Sequence, residues 1–273
     1  MVIHHSRLKT MGAFLTSRRH RLQPEHAGIR RSLGQRRTPG LRREEVAVLA
    51  GVSATYYTWL EQGREVSASR DIIENIAKAL QLTPDERNHL IQLWNPNEFS
   101  SFSSTSATNT LLNPQWENII QQLTYPSFIS NNRTEVLAWN RAANEVIADF
   151  SSLSANDRIM IRLLFMNPEI RRRMINWEEF ALYSVAVFRT YYDTYSADPW
   201  FKETVERLSE ESSAFATMWN LHNIQLKKVN RVQYHIPGGL KAVAFDINAF
   251  ASPVDNPDLH ICIYTPVLET DID

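Results

Sequence analysis

Two short helical patterns flank a glycine between residues 41 and 64 (LRREEVAVLAGVSATYYTWLEQGR), and this segment restricts the fold more than any other. The first pattern has the i, i+3, i+4 spacing of a buried helix face, formed by Val46, Leu49 and Ala50. Gly51 can end that helix in the left-handed conformation, and Ser53 can cap the next one. Because two helices this short cannot bury their apolar faces alone, the segment predicts a helix–turn–helix within a larger helical bundle. The alternative is an ordinary pair of short helices in an all-α domain.

Positive charge is concentrated near the N-terminus. Residues 1–43 contain eleven Lys or Arg and one acid, Glu25, and four arginine pairs occur among them: Arg18-Arg19, Arg30-Arg31, Arg36-Arg37 and Arg42-Arg43. Residues 1–95 carry a net charge of +6 and the remaining residues −7, which together give the overall −1. This asymmetry favours a nucleic-acid-binding end and a separate, mildly acidic module. A solvated basic surface without a partner is the alternative.

The start of the second short helix is the part that meets base edges in a helix–turn–helix. We therefore expect the major groove to be contacted there, and phosphates or guanine to be contacted by arginines at the start of the preceding helix. The basic loop before that helix can reach a neighbouring minor groove. The predicted DNA-contacting residues are Arg36, Arg37, Arg42, Arg43, Ser53, Ala54, Thr55, Tyr56 and Arg64. Since one short recognition helix reads few bases, a homodimer on a double-stranded DNA operator is expected.

The length of 273 residues is typical of two domains, and residues 96–113, rich in Ser, Thr and Asn, have the composition of a linker. Residues 1–95 predict an all-α five-helix bundle that contains the helix–turn–helix. Its first helix should begin near Met11 and turn Arg18 and Arg19 outward. Thr83 followed by proline and two acids predicts the start of the fifth helix.

Residues 114–273 predict an α+β domain: two short strands, a helical centre, and further strands towards the C-terminus, forming an antiparallel sheet with helices on one face. The single cysteine, Cys262, lies in an apolar run, so no disulfide framework is expected within the chain. No stretch has the roughly 20 apolar residues of a membrane span. We therefore expect a cytoplasmic protein that does not associate with membranes.

Aromatic side chains are dense in this second domain and predict either an apolar cavity or a well-packed core. The candidate lining residues are Phe128, Trp139, Phe165, Trp177, Phe180, Phe188, Phe215 and Trp219. Candidate anchors for a ligand carboxylate are Arg162, Arg189 and His222, with ordinary salt bridges as the alternative for the arginines. The sequence contains no zinc-site spacing, phosphate-binding glycine loop or nucleophile elbow, so neither an enzyme, a metal site nor a cofactor is predicted.

The motif from Arg36 to Arg64 resembles one branch of the XRE-type transcription regulators. The second domain resembles the MmyB-like ligand-binding domain through Ala138-Trp139-Asn140-Arg141-Ala142-Ala143, Asn176-Trp177-Glu178, Trp219 with His222, and Pro237-Gly238-Gly239. The resemblance implies a PAS-like sensor of a small apolar ligand, such as a fatty acid, fused to a DNA-binding bundle. Two positions depart from the family pattern: Asn176 replaces the usual Asp, and Ile236 separates His235 from Pro237. The alternative is a second domain that only mediates dimerisation or protein interaction, with no ligand.

Overall fold

The computed structural model of the chain describes residues 2–29, 40–95, 112, 114–235, 242–252 and 256–267. The chain divides into two compact units. The first comprises Met1–Ser100 with Tyr192–Lys202, and the second comprises Ser101–Tyr191 with Glu203–Asp273. The linker predicted at 96–113 lies outside the described residues, apart from residue 112.

The described part of residues 2–95 forms a bundle of five helices, as predicted. They are α1 (Val2–Arg21), α2 (Arg43–Ala50), α3 (Ala54–Glu61), α4 (Arg70–Ala79) and α5 (Pro84–Trp94). Gly51 ends α2 with a φ of 68°, and the Ser53 hydroxyl caps α3. Thr83 and Glu86 form a capping box at the predicted start of α5. Helix α1 begins well before the predicted Met11.

Two predictions about side-chain direction in this bundle are wrong. Arg18 and Arg19 are buried instead of facing outward, because each meets a buried acid: Arg18 lies 3.2 Å from Glu86, and Arg19 lies 2.5 Å from Glu61. Leu49 is 41 % exposed, because α2 turns the i, i+1, i+4 set Val46, Ala47 and Ala50 inward instead.

The second sequence domain is mixed, which confirms the α+β prediction. Its helices are α6 (Pro114–Gln122), α7 (Arg141–Val146), α8 (Met160–Met166), α9 (Pro168–Arg173), α10 (Trp177–Thr194), α11 (Pro199–Glu211) and α12 (Ser213–Asn220). Short 3₁₀ segments lie at Phe150–Ser152 and Ala155–Asp157. The strands are β1 (Ser127–Asn131), β2 (Val136–Trp139), β3 (Asn230–His235), β4 (Ala242–Ser252) and β5 (Asn256–Pro266). They form one antiparallel sheet in the order β2-β1-β5-β4-β3.

Alternating residues send apolar side chains to both faces of this sheet. Phe128, Cys262 and Tyr264 point to the face that encloses a cavity. On the other face, Ile129 and Leu259 pack against α6. The prediction of helices on one face is therefore incomplete, since α6 covers part of the second face.

Candidate functional sites

The exposed start of α3 is held by two local hydrogen bonds. The backbone N–H of Tyr56 donates to the Ser53 hydroxyl at 3.1 Å, and the Tyr56 hydroxyl donates to the carbonyl of Ser67 at 2.7 Å. Thr55 is exposed between them, whereas Ala54 is half-buried. The first turn of α3 therefore presents small side chains and one tyrosine whose hydroxyl is tied to the backbone of Ser67.

A buried carboxylate joins α3 to α1 and to the start of α2. Glu61 accepts hydrogen bonds from Arg19 Nε at 2.5 Å and Nη2 at 3.2 Å, and from Arg43 Nε at 2.6 Å. Arg19 also donates to the carbonyl of Leu41 at 2.8 Å. Burial alone would raise the pKa of Glu61, but the two guanidinium groups hold that pKa below its usual value. Glu61 is therefore ionised at neutral pH and fixes the half-exposed Arg43 beside α3.

An apolar cavity of about 120 Å³ lies within the second unit, between the sheet and helices α8 to α10. Its floor comes from alternate residues of β1, β4 and β5, and its roof includes one side of α10. The lining residues on α10 are Phe180, Tyr183, Ser184, Val187, Phe188 and Tyr191. Lys227 and Lys228 also line the cavity, and both are exposed to solvent, so they lie where the cavity approaches the surface. The cavity is thus an apolar chamber with positive charge at its margin.

Comparison with protein families assigns both parts of the chain. The MmyB-like transcription regulator ligand binding domain matches residues 112–271, more than half of the chain, and a helix-turn-helix domain matches residues 10–90. The chain belongs to the MmyB-like transcription regulators. No curated protein matches the chain.

The two matched domains together make this MmyB-like protein a ligand-sensing, DNA-binding transcription regulator. Within the described ranges, no group of three or more His, Cys, Asp or Glu residues is placed to hold a metal ion. No helix in the part of the chain that the structure describes is long and apolar enough to cross a membrane.

The structure brings some of the predicted ligand-contacting residues to the cavity of this MmyB-like domain. Phe128, Phe180 and Phe188 line it. Phe165, Trp177, Phe215 and Trp219 lie outside the lining and pack on one another instead, with ring centroids 5.2 to 5.8 Å apart along the cluster. Trp139 is also outside the lining and packs against Phe150 at 5.7 Å. Phe165, Trp177 and Phe215 are thus buried core residues of the sensor domain, whereas Trp139 and Trp219 are partly exposed.

The cationic anchors expected from the sequence also lie away from the cavity lining. Arg189 stacks on the Trp219 ring, 3.6 Å from its centroid, and donates to the Trp219 carbonyl. Arg162 pairs with Glu211, the ordinary role left open above. His222 is exposed, with a left-handed φ of 53°. The cations beside the cavity are instead Lys227 and Lys228.

Most of the cavity residues on α10 were not predicted from the sequence, although their spacing along the helix indicates a common face. Positions 180, 183, 184, 187, 188 and 191 follow the i, i+3, i+4, i+7 stripe of a helix face turned towards apolar surroundings. Three of these positions carry hydroxyl groups, which made the stripe less apparent than the tryptophans nearby.

The family motif residues of the MmyB-like domain have structural roles here. Asn176 donates to the carbonyl of Arg231 and accepts from the N–H of Gln233, both at 2.9 Å, and so holds β3. An aspartate could not donate the first of these bonds, which gives this departure from the family pattern a physical consequence. Asn140 is buried, caps α7 and receives the N–H of Ser127 at 3.0 Å.

The predicted DNA-contacting residues are distributed over the first unit. Arg42, Ser53, Thr55 and Arg64 are exposed around α2 and α3. Arg43 is half-exposed and paired with Glu61. The predictions for Arg36 and Arg37 lie outside the described residues.

Proposed function

We propose that this MmyB-like regulator binds a double-stranded DNA operator as a homodimer, and that a small apolar ligand in the sensor cavity changes its affinity for that operator. The observation that supports the proposal is the apolar cavity inside the matched ligand-binding domain. A ligand can control DNA binding only if it binds the two functional states with different free energies.

The cavity favours an apolar molecule with an acidic head group, and fatty acids are the class we propose. Aromatic and aliphatic side chains surround most of the interior, whereas the basic residues Lys227 and Lys228 lie at its margin. The volume of about 120 Å³ is close to the roughly 150 Å³ of an engineered protein cavity that binds benzene. We therefore expect short acyl chains to enter most readily, and long chains to require the walls to move.

On the DNA side, Ser53, Ala54, Thr55 and Tyr56 are proposed to face the major groove. The Ser53 and Tyr56 side chains already make protein hydrogen bonds, so Thr55 is the residue of this turn best placed for a base edge. The arginines at 36, 37, 42, 43 and 64 are proposed to supply phosphate contacts or guanine recognition.

A cavity-filling variant tests the ligand proposal. Ser184→Phe places a ring in the cavity from α10, and Ser213→Phe makes the same change at an exposed position of α12. We expect wild type and Ser213→Phe to bind a short-chain fatty acid in titration calorimetry and to be stabilised thermally by it. Ser184→Phe should lose both effects. If no fatty acid binds wild type and native mass spectrometry detects no co-purifying small molecule, the domain is an interaction module and the ligand proposal is wrong.

Operator selection from a random duplex library with the full chain tests the DNA proposal. Arg64→Ala and Arg43→Ala should each weaken binding to the selected duplex by about 1–3 kcal/mol if they read bases, or lower the salt dependence if they contact phosphate. Arg141→Ala removes an exposed arginine from the sensor domain and serves as the control. Equal affinity and equal salt dependence in all three variants would contradict the assignment. Sedimentation of the protein–duplex complex tests the homodimer.

A further inference from the structure

A chain of polar contacts runs behind one wall of the sensor cavity. The hydroxyl of Tyr191, a lining residue, lies 3.3 Å from Nε2 of His260. The same Nε2 lies 2.8 Å from Oδ1 of Asn132, and Asn132 Nδ2 donates to Asp258 Oδ1 at 2.7 Å. Some of these groups can only accept a hydrogen bond, so the donor and the acceptor of each contact can be assigned.

The direction is set at Asp258. A carboxylate only accepts, so the Asn132 amide must turn its NH₂ group towards Asp258 and its oxygen towards His260. An amide oxygen also only accepts, so His260 Nε2 must carry the proton. That nitrogen then has no lone pair to receive the proton of Tyr191, and the phenolic oxygen can only accept from it.

The tyrosine proton is consequently left without a protein acceptor in the part of the chain that the structure describes. Burial raises the pKa of Tyr191, which keeps the hydroxyl protonated. Burial, together with the charge of Lys227, lowers the pKa of His260 to about 3, which keeps the imidazole neutral and restricted to one N–H tautomer. Both effects preserve the same direction of donation.

We propose that Asp258, Asn132 and His260 act as positioning residues that present the Tyr191 hydroxyl as a hydrogen-bond donor to an oxygen atom of the cavity ligand. Tyr191 then determines specificity: it selects an apolar molecule that carries a carbonyl or carboxylate oxygen over a pure hydrocarbon of the same length. A site that offers a donor discriminates strongly against an analogue that lacks the matching acceptor. This inference rests on the proposed function, because it assumes that the cavity binds a ligand.

Hexanoate and hexane are matched probes of this donor. In Tyr191→Phe the ring remains and the hydroxyl is lost, so hexanoate affinity should fall about tenfold or more, as expected for a hydrogen bond to a charged acceptor. Hexane affinity should stay the same. Tyr183→Phe is the matched control: Tyr183 also lines the cavity, but its hydroxyl donates to the carbonyl of Lys228 at 2.9 Å. It should leave the ratio of the two affinities unchanged.

The tautomer of His260 gives a second readout that needs no ligand. Nitrogen NMR of the imidazole should show Nε2 protonated in wild type. In Asp258→Asn the residue at position 258 is no longer an acceptor only, so this contact no longer fixes which end of the Asn132 amide faces His260. Hexanoate affinity should then fall while hexane affinity stays the same.

An unprotonated Nε2 in wild type, or an equal loss of both probes in Tyr191→Phe, would overturn the inference. If neither probe binds wild type, the proposed ligand function fails and specificity at Tyr191 fails with it. The NMR result would then still show whether the direction of the hydrogen-bond chain is correct.

Discussion

Replacing Glu61 with glutamine tests how the helix–turn–helix is held together. The substitution keeps the shape of the side chain but removes the negative charge that Arg19 and Arg43 share. The side chains of Glu61 and Arg19 are almost fully buried, so Arg19 would keep a positive charge without its ionic partner. Removing one partner of a buried ion pair typically destabilises a protein by about 3–5 kcal/mol. Because glutamine still offers one oxygen acceptor, we expect the lower end of this range.

The assay is amide hydrogen exchange over α2 and α3 in the full chain, which reports on this region even if the two units unfold separately. A loss of about 3 kcal/mol corresponds to an acceleration of roughly 10²-fold in exchange through opening. Glu145→Gln is the matched control, because Glu145 pairs with Arg141 at an exposed site, where such pairs contribute about 0–1 kcal/mol. Equal exchange in the two variants would refute the reasoning.

The loss of stability in Glu61→Gln should depend on pH. The pKa of Glu61 is below its usual value in the folded state, so its ionisation contributes stability above the unfolded pKa of about 4.3. That contribution is lost as the pH falls through the folded pKa. The difference between wild type and Glu61→Gln should therefore be largest near neutral pH and shrink below about pH 4. A difference that grows on acidification would contradict the assignment.

Three further experiments test local features. Asp193 and the fully buried His89 both belong to the first unit, and the Asp193 carboxylate lies 3.0 Å from Nε2 of His89. Asp193→Ala removes this partner and should lower the opening free energy of α5, measured by amide exchange, by about 1–3 kcal/mol. Thr134 has a φ of 61°, which is unfavourable for a β-branched residue. Thr134→Asn should relieve roughly 1 kcal/mol of backbone strain and so raise the thermal unfolding midpoint. A lower midpoint would contradict this. Gly63→Ala should destabilise the bundle more than Gly28→Ala in denaturant unfolding: both glycines have positive φ, but a Cβ at position 63 would lie 2.8 Å from the α1 backbone, whereas position 28 is open.

Local backbone chemistry made much of this fold predictable from the sequence. As predicted, Gly51 ends α2, Ser53 caps the start of α3, and Thr83 caps the start of α5. The bounds of α9 follow from Asn167 as the cap and proline at the first position. Such signals are readable because they depend on neighbours within a few residues.

The position of the cavity and the burial of two arginines depend instead on contacts between distant segments. Arg18 and Arg19 are buried because Glu86 and Glu61 come from other helices, and neither pairing has a sequence signal. Large aromatic side chains are natural candidates for a cavity lining, yet Trp177 is buried in an aromatic cluster outside the lining, and Trp219 is a partly exposed member of the same cluster. Pairing of the strands decides which alternate residues face the empty volume, and strand order was not readable from one sequence.

The burial of Arg18 and Arg19 has a consequence for how this regulator should respond to ionic strength. Each phosphate neutralised on duplex DNA makes the slope of log affinity against log salt concentration more negative by about 0.9. A count of basic residues in positions 1–43 would include these two side chains, but their charges are compensated inside the protein. The measured slope should therefore be shallower, by about 2, than the sequence count implies. Part of the charge that looks like a DNA-binding surface maintains the bundle instead.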